Sequence, residues 1–320
     1  MANDEIKDLM EAAEQGDVIA QYNLAVSYQE GEGVEENPEL AFKWFLKAAE
    51  QGDSDAQYQV ATCYRMGEGV AENKNESINW LIKSAEQDNA NAYYGLASCY
   101  DRGYGSIKAD PAKAFELYVK SAELGQPQAL NEIANCYQQG KGVERNIEKA
   151  VAFLSQAAEA GIAEAQHNLG YCYHKAVVVE QSYAMAAEWY GKAVEQGYQP
   201  AYGPLAQIYY YGKGGLSDIP RAVEIFTEAA DEFDDAEAMY YLSTIYQMGR
   251  GVEKDPEKGM DWMIKSAQNG YPIALTFMGE CFLDGLDGMP KDLNQAVQCF
   301  QAAAQQGERK AQQYLQQLKG

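Results

Sequence analysis

Few residue types in this chain could do covalent or metal chemistry. It carries two histidines and six cysteines in 320 residues. His167 and His174 are seven positions apart; on a helix that is two turns, about 10 Å along the axis, too far for both to hold one ion. Cys63, Cys99, Cys136, Cys172 and Cys281 each precede an aromatic at near-constant spacing. Equivalent positions on stacked helices lie roughly 8–10 Å apart, whereas a disulfide needs alpha carbons within about 7 Å. These five therefore read as small core residues, and only a Cys281–Cys299 bridge stays open. Cys172 falls on the core side, which argues against a Cys–His dyad. There is no G-x-S-x-G, no Walker A loop and no dinucleotide fingerprint after a strand. The expectation is a protein that is not an enzyme and holds no cofactor and no metal.

The remaining chemistry is that of recognition. Asn131 and Asn135, at i and i+4, can each donate and accept toward a peptide backbone, and Gln138 extends that face. His167, Tyr171, His174 and Lys175 follow in the next stretch, and Gln207, Tyr210 and Tyr211 in the one after. Aromatic side chains are common energetic centres of interfaces. Arg65 and Arg102, with Lys175, can receive an acidic ligand group. His167 shares a register with Tyr22, Tyr58 and Tyr94, so it reads equally as a partly buried packing residue.

These residues recur because the chain does. Ala20 to Gly52, AQYNLAVSYQEGEGVEENPELAFKWFLKAAEQG, returns 36 residues later as Ala56 to Asp88, and the skeleton reappears from Ala92, Ala129, Ala165, Ala201, Ala238 and Ala274. Such a period marks a repeat architecture. In each unit, Ala20, Leu24, Ala25 and Tyr28 share one helical face. GEGV then breaks the helix, and Asn37-Pro38 opens a second as N-cap and first residue. Ala41, Phe42, Phe45, Leu46 and Ala49 form its apolar stripe. One hairpin cannot bury both its faces, so neighbours must stack. Ala25, Ala61, Ala97 and Ala134 fall where the two helices should approach most closely. The sequence thus predicts an all-α solenoid forming one domain over 1–320: a capping helix at 1–16, eight hairpins over 17–307, and a last half-repeat at 308–320. Three places break the pattern. The fifth repeat has HKAVVVEQS for G-x-G-V, so Ala176 and Val178 replace glycines and the loop is expected to differ in shape. The sixth carries YYYGKGGLSD, and the junction after it, ADEFDDAE, puts Phe233 in place of glycine.

The pattern A-x-Y-x-L-A-x-x-Y-x-x-G-x-G-V followed by A-x-x-W-F-x-K-A-A-E-x-G resembles the Sel1-like repeat family, a relative of tetratricopeptide repeats. The likeness covers nearly the whole chain. It implies an α/α superhelical solenoid, right-handed, with first helices lining a concave groove, and work as a protein-interaction scaffold or adaptor. It carries no catalytic residues. The family's cysteine-rich branch pairs cysteines within repeats, and this chain departs from that branch.

Acidic residues outnumber basic ones 48 to 25, for a net charge of −23. Phosphate contacts need a basic footprint, so nucleic acid and anionic membrane are disfavoured as partners. No stretch approaches the roughly 18 apolar residues of a membrane span, and MANDEIKDLM lacks the pattern of a signal peptide. Unpaired cysteines fit a reducing, cytoplasmic setting. The reading is a monomeric scaffold holding a partner protein or extended peptide in its groove, centred on the fourth to sixth repeats. The alternative is an acidic inhibitor or immunity-type protein that blocks a basic partner surface, for example through ADEFDDAE.

Overall fold

A computed structural model describes residues 2–286 and 288–318. Among the described residues the regular structure is helical, apart from an isolated bridge between Tyr104 and Ile107. A lone α1 (Ala2–Glu14) precedes the hairpins. They are α2 (Val18–Glu30) with α3 (Pro38–Glu50), α4 (Ser54–Met66) with α5 (Lys74–Ala85), α6 (Ala90–Arg102) with α7 (Pro111–Glu123), and α8 (Pro127–Gln139) with α9 (Ile147–Glu159). There follow α10 (Ala163–Lys175) with α11 (Tyr183–Val194), α12 (Tyr202–Tyr211) with α13 (Ile219–Phe233), α14 (Ala236–Met248) with α15 (Pro256–Gln268), and α16 (Pro272–Asp284) with α17 (Leu293–Gln305). A single α18 (Arg309–Gln317) ends the series. No described helix is long and apolar enough to cross a membrane.

The helix boundaries follow from side-chain caps. Asp17, Asp53, Asn89 and Asp235 accept from the N–H of Ala20, Ala56, Ala92 and Ala238 at 2.7–3.0 Å, so in these units the opening alanine is fixed by its cap. Asn37 does the same for α3 with Pro38 at the first turn, and Asp110, Asn146, Asp218 and Asp255 start later second helices. Each cap satisfies an amide that would otherwise lack a partner. A carboxylate there also meets the positive end of the helix dipole. Part of the large negative charge is therefore structural.

The turns obey the glycine pattern, with one correction. Gly69 takes φ +66°, and a Cβ there would stand 2.0 Å from the carbonyl oxygen of Pro38 on the preceding second helix; Gly142 meets Pro111 in the same way. Only glycine allows that approach. In the fifth repeat Ala176 and Val178 nevertheless adopt φ +58° and +65°, inside the range of the glycines they replace. The expected change of loop shape does not occur. The chain keeps the turn and carries the strain of two left-handed residues instead, of order 1–2 kcal/mol each. After the sixth repeat, Phe233 stays helical and packs edge-on against Tyr202, and the left-handed position moves to Asp234 at φ +52°.

The chain divides into two compact units, 1–165 and 166–320. In the first, Ala25, Ala61, Ala97 and Ala134 are all buried, the first two among Leu24, Phe45, Val60 and Leu81 and Ala97 with Tyr118 and Ile133. Gln21 donates to the carbonyl of Ala13 at 3.0 Å and accepts from Gln51 at 2.8 Å; Gln57 repeats this with Ala49 and Gln87. These amides tie α2 and α4 both to the helix before them and to the end of their own second helix. In the second unit the core centres on Tyr190, Leu205, Phe226, Leu242 and Ile245. In both, the second-helix W-x-x-K sets a lysine over a buried indole, 3.7 Å from its centroid for Lys47 on Trp44 and 3.9 Å for Lys192 on Trp189.

Candidate functional site

In the first unit, α4 and α6 flank a cleft of about 360 Å³. Tyr58, Thr62 and Arg65 come from α4, Tyr94, Ser98 and Arg102 from α6, Leu81 from α5, and Tyr104 from the loop after α6. The sequence placed both arginines on the first-helix face, and the structure brings them to this one cleft. No lining residue is acidic, in a chain with 48 acids. Both arginines are exposed and neither makes an ion pair or hydrogen bond to a described residue. The carboxylate next to Arg102, Asp101, is held by Lys141 at 2.7 Å. The hydroxyls of the cleft are internally engaged: Thr62 donates to the carbonyl of Tyr58, Ser98 to that of Tyr94, and Ser77 to that of Ala61. Tyr104 is different. Its hydroxyl is buried and has no hydrogen-bond partner.

Further along the same unit, Asn131 is buried, with its side-chain oxygen unpartnered. It occupies the register of Tyr22 and Tyr94, whose rings pack on Phe45 and Tyr118 of the paired second helices at 5.4 and 5.7 Å. That register faces the seam of the hairpin, and a short amide there is covered. Asn135 is half-buried beside Glu132, whose carboxyl burial pushes above the usual range while the Asn135 hydrogen bond opposes it. Gln138 is exposed.

In the second unit the expected residues sort into two groups. Tyr171, Lys175 and Tyr211 are exposed. His174 and Tyr210 are buried, and both are covered from the next repeat. Lys213 Nζ lies 3.4 Å from His174 Nε2, and the histidine rings against Tyr183 and Tyr190. Burial first, then Lys213 and Lys175, push the His174 pKa down, so it is neutral at pH 7. Arg250 stacks 4.2 Å over Tyr210 and donates to its carbonyl at 2.8 Å. His167 is half-buried between Tyr190 and Tyr198, with Nδ1 3.2 Å from Asn168. Gln207 donates to Glu237 at 3.2 Å, and the hydroxyls of Tyr211 and Tyr241 meet at 3.2 Å. Direct contact with a partner is thus open to Tyr171, Lys175 and Tyr211, while Asn131, His174 and Tyr210 serve packing.

The acidic junction is partly engaged as well, since Asp235 caps α14 and Glu237 takes the Gln207 bond. None of the six cysteines is in a disulfide, and the first five are buried. Burial, followed by neighbouring Glu68, pushes Cys63 up to about 11, and burial with Asp101 and Glu132 does the same for Cys136. Neither is a nucleophile at neutral pH. No group of three or more His, Cys, Asp or Glu among the described residues is arranged to hold a metal.

Sequence reasoning passed over Tyr104 and Gly95. Gly95 sits at a position where the other first helices of this unit carry Asn23, Gln59 and Glu132. A Cβ at Gly95 would come within 2.9 Å of Leu81, so its absence widens the cleft. A glycine inside a helix costs about 1 kcal/mol relative to alanine, and that unexplained cost was the available signal.

Eight matches to the Sel1 repeat cover residues 18–53, 54–89, 90–126, 127–162, 163–198, 202–232, 236–271 and 272–308. Among solved structures, the protective antigen c5321 of uropathogenic Escherichia coli, which displays this repeat fold, is 30% identical with a TM-score of 0.83, over 96% of this chain and 65% of that one. This chain therefore spans just under two thirds of that relative. A Sel1 repeat protein from Oxalobacter formigenes is 28% identical with a TM-score of 0.65, over 98% of this chain and 89% of that one. No curated protein matches. The eight repeats span most of the sequence, and the chain belongs to the Sel1 repeat family.

Proposed function

We propose that this protein is a non-catalytic interaction scaffold that holds an extended segment of a partner protein against the first-helix face, with its main contact in the cleft between α4 and α6. Sel1 repeat proteins generally mediate protein–protein interaction on a non-catalytic scaffold. The observation that carries the placement is the cleft itself: an acid-free, aromatic-walled recess with two unpaired arginines in a strongly acidic chain. Gln29, Gln138 and Gln139 lie exposed at the last turns of the flanking first helices and offer amides to a peptide backbone. Asn135 adds a half-buried amide. On the second unit, Tyr171, Lys175 and Tyr211 offer a separate patch. We read the repeats as a single solenoid domain, monomeric, without nucleic-acid or membrane partners, and place it in a reducing, cytoplasmic setting because its cysteines form no disulfide.

Affinity capture from the source cells, wild type beside Arg65→Glu/Arg102→Glu, tests this. A partner held by the wild type and lost by the folded variant is the expected result. A partner held equally by both, and released steeply between low and moderate salt, would instead favour the acidic surface as an electrostatic blocker.

A further inference from the structure

We infer that the α4–α6 cleft is built for an acidic peptide segment, one that sets a carboxylate between Arg65 and Arg102 and an aromatic or bulky apolar side chain against Tyr58, Tyr94 and Leu81. This rests on the scaffold reading above and names the chemistry of its occupant.

The inventory of donors and acceptors decides the sign of the ligand. The hydroxyls of Thr62, Ser98 and Ser77 already donate to main-chain carbonyls, and no carboxylate lines the cleft. The charged groups left without a protein partner are two guanidiniums, and the buried Tyr104 hydroxyl has none either. A guanidinium can only donate, and a phenol that stays protonated donates as well. Burial, followed by the charge of Glu72, pushes the Tyr104 pKa up, which keeps that proton in place. A site whose charged groups are two unpaired cations, with no carboxylate in its lining, favours an anion. Its walls are apolar or aromatic, so the anion should carry a hydrophobic neighbour.

A repeat-level rule explains why the arginines are free. In several turns the residue between the two glycines reaches back to the last turn of the preceding first helix. Lys141 reaches Asp101, Lys213 reaches His174 and Arg250 reaches Tyr210. Tyr104, between Gly103 and Gly105, stands at that position for Arg65, and the two line the same cleft. For Lys141, Lys213 and Arg250 the arriving side chain is a cation that meets an acceptor or a π-face. Here the cation waits on the helix and a neutral donor arrives, so the pair lacks an acceptor that a ligand can supply.

The net charge of −23 opposes an acidic partner at long range. That field is screened beyond about 8 Å at physiological salt, whereas a guanidinium–carboxylate contact acts at about 2.8 Å. The local pair wins once contact is made. An extended polyanion such as nucleic acid would keep most of its charge outside the cleft against acidic surface, which favours a peptide with isolated acids.

The test is a permuted hexapeptide array, in which Glu/Asp, Gln/Asn, Lys/Arg and Phe/Tyr/Leu are exchanged at each position, probed with the full chain at about 0.15 M salt. A single-stranded oligonucleotide set is run beside it. The comparison is wild type, Arg65→Ala/Arg102→Ala, and Lys43→Ala/Lys254→Ala, which removes two exposed charges elsewhere. The proposal expects retained peptides that join an acid to an aromatic or leucine. Their binding falls roughly tenfold per arginine removed, and as much on Glu→Gln exchange, while the lysine variant binds as wild type does. Retention of neutral or basic peptides, or acidic ones held equally without the arginines, overturns the carboxylate site and leaves the scaffold reading standing. Arginine-dependent capture of the oligonucleotides overturns the peptide assignment. Retention of no peptide of any class defeats both readings.

Discussion

The cleft between α4 and α6 and the aromatic cluster around α12 and α14 are built from equivalent positions of the same repeat, yet they end in opposite states. In the cluster, every cation has been given work. Arg250 lies on Tyr210 and bonds its carbonyl, and Lys213 sits beside His174 and within 5.8 Å of the Tyr183 and Tyr211 ring centroids. Tyr241 stacks on Phe226 at 4.7 Å and meets the Tyr211 hydroxyl. In the cleft, Arg65 and Arg102 are unpaired and the Tyr104 hydroxyl has no partner. A repeat fold needs its seams filled and its caps made, but it does not need those three donors satisfied by an outside group. The difference teaches where stability was built and where it was left incomplete.

The comparison breaks first if the cluster proves dispensable. Phe226→Ala removes a fully buried ring and the stacking surface of Tyr241. A loss of about 3–5 kcal/mol in the denaturant unfolding of the second unit is expected. A loss below about 1 kcal/mol would mean the aromatics are not structural and would return Tyr210 to the list of recognition residues. Arg250→Ala comes next. It removes one hydrogen bond and one cation–π contact, together about 1–2 kcal/mol at a partly exposed site. The same unfolding experiment reads it.

Those two residues also mark the limit of what the sequence could tell. The hairpins were legible because their signals are local: Asn37-Pro38 starts a helix, Gly31 ends one, and the repeat returns an Asn, Asp or Ser cap in every unit and the turn glycine in all but the fifth. Cap and turn chemistry act within a few residues, so a single sequence carries them. Burial at Asn131, His174 and Tyr210 was not legible, because it depends on which side chain arrives from elsewhere. Asn131 lies on the hairpin seam, where a tyrosine is long enough to reach the surface and an asparagine is not. His174 and Tyr210 sit in the register of exposed Arg65 and Gln138, and are covered by Lys213 and Arg250 from turns about 40 residues later. Helical periodicity names the face of a residue, not its lid. The spacing between a last-turn residue and the middle of the next G-x-G would have supplied it. The departures at Ala176 and Val178 misled for a related reason: stacking held the turn in a shape that local propensity disfavours.

Tyr104→Phe sharpens the contrast from the other side. Removing a buried hydroxyl that has no partner should leave the first unit as stable or raise its stability by up to about 1 kcal/mol, since the desolvation of that group is no longer incurred. The same change should weaken the acidic peptide. A destabilised Tyr104→Phe would show that the hydroxyl has an acceptor in the folded protein, and its availability to a ligand would fail with it.

The smallest expected effect on folding is the most informative. Arg65→Ala and Arg102→Ala, singly or together, should change unfolding by no more than about 0.5 kcal/mol, the ordinary range for exposed residues without partners. Set against Arg250→Ala, the experiment asks one question of chemically identical side chains on the same scaffold. If the two cleft arginines cost as much as Arg250, they are packed or paired in solution, and nothing is held in reserve for a ligand. If they cost nothing in folding and roughly tenfold each in peptide affinity, their charge is kept for binding. An acidic protein would then have placed two cations beside one recess that its own fold does not require.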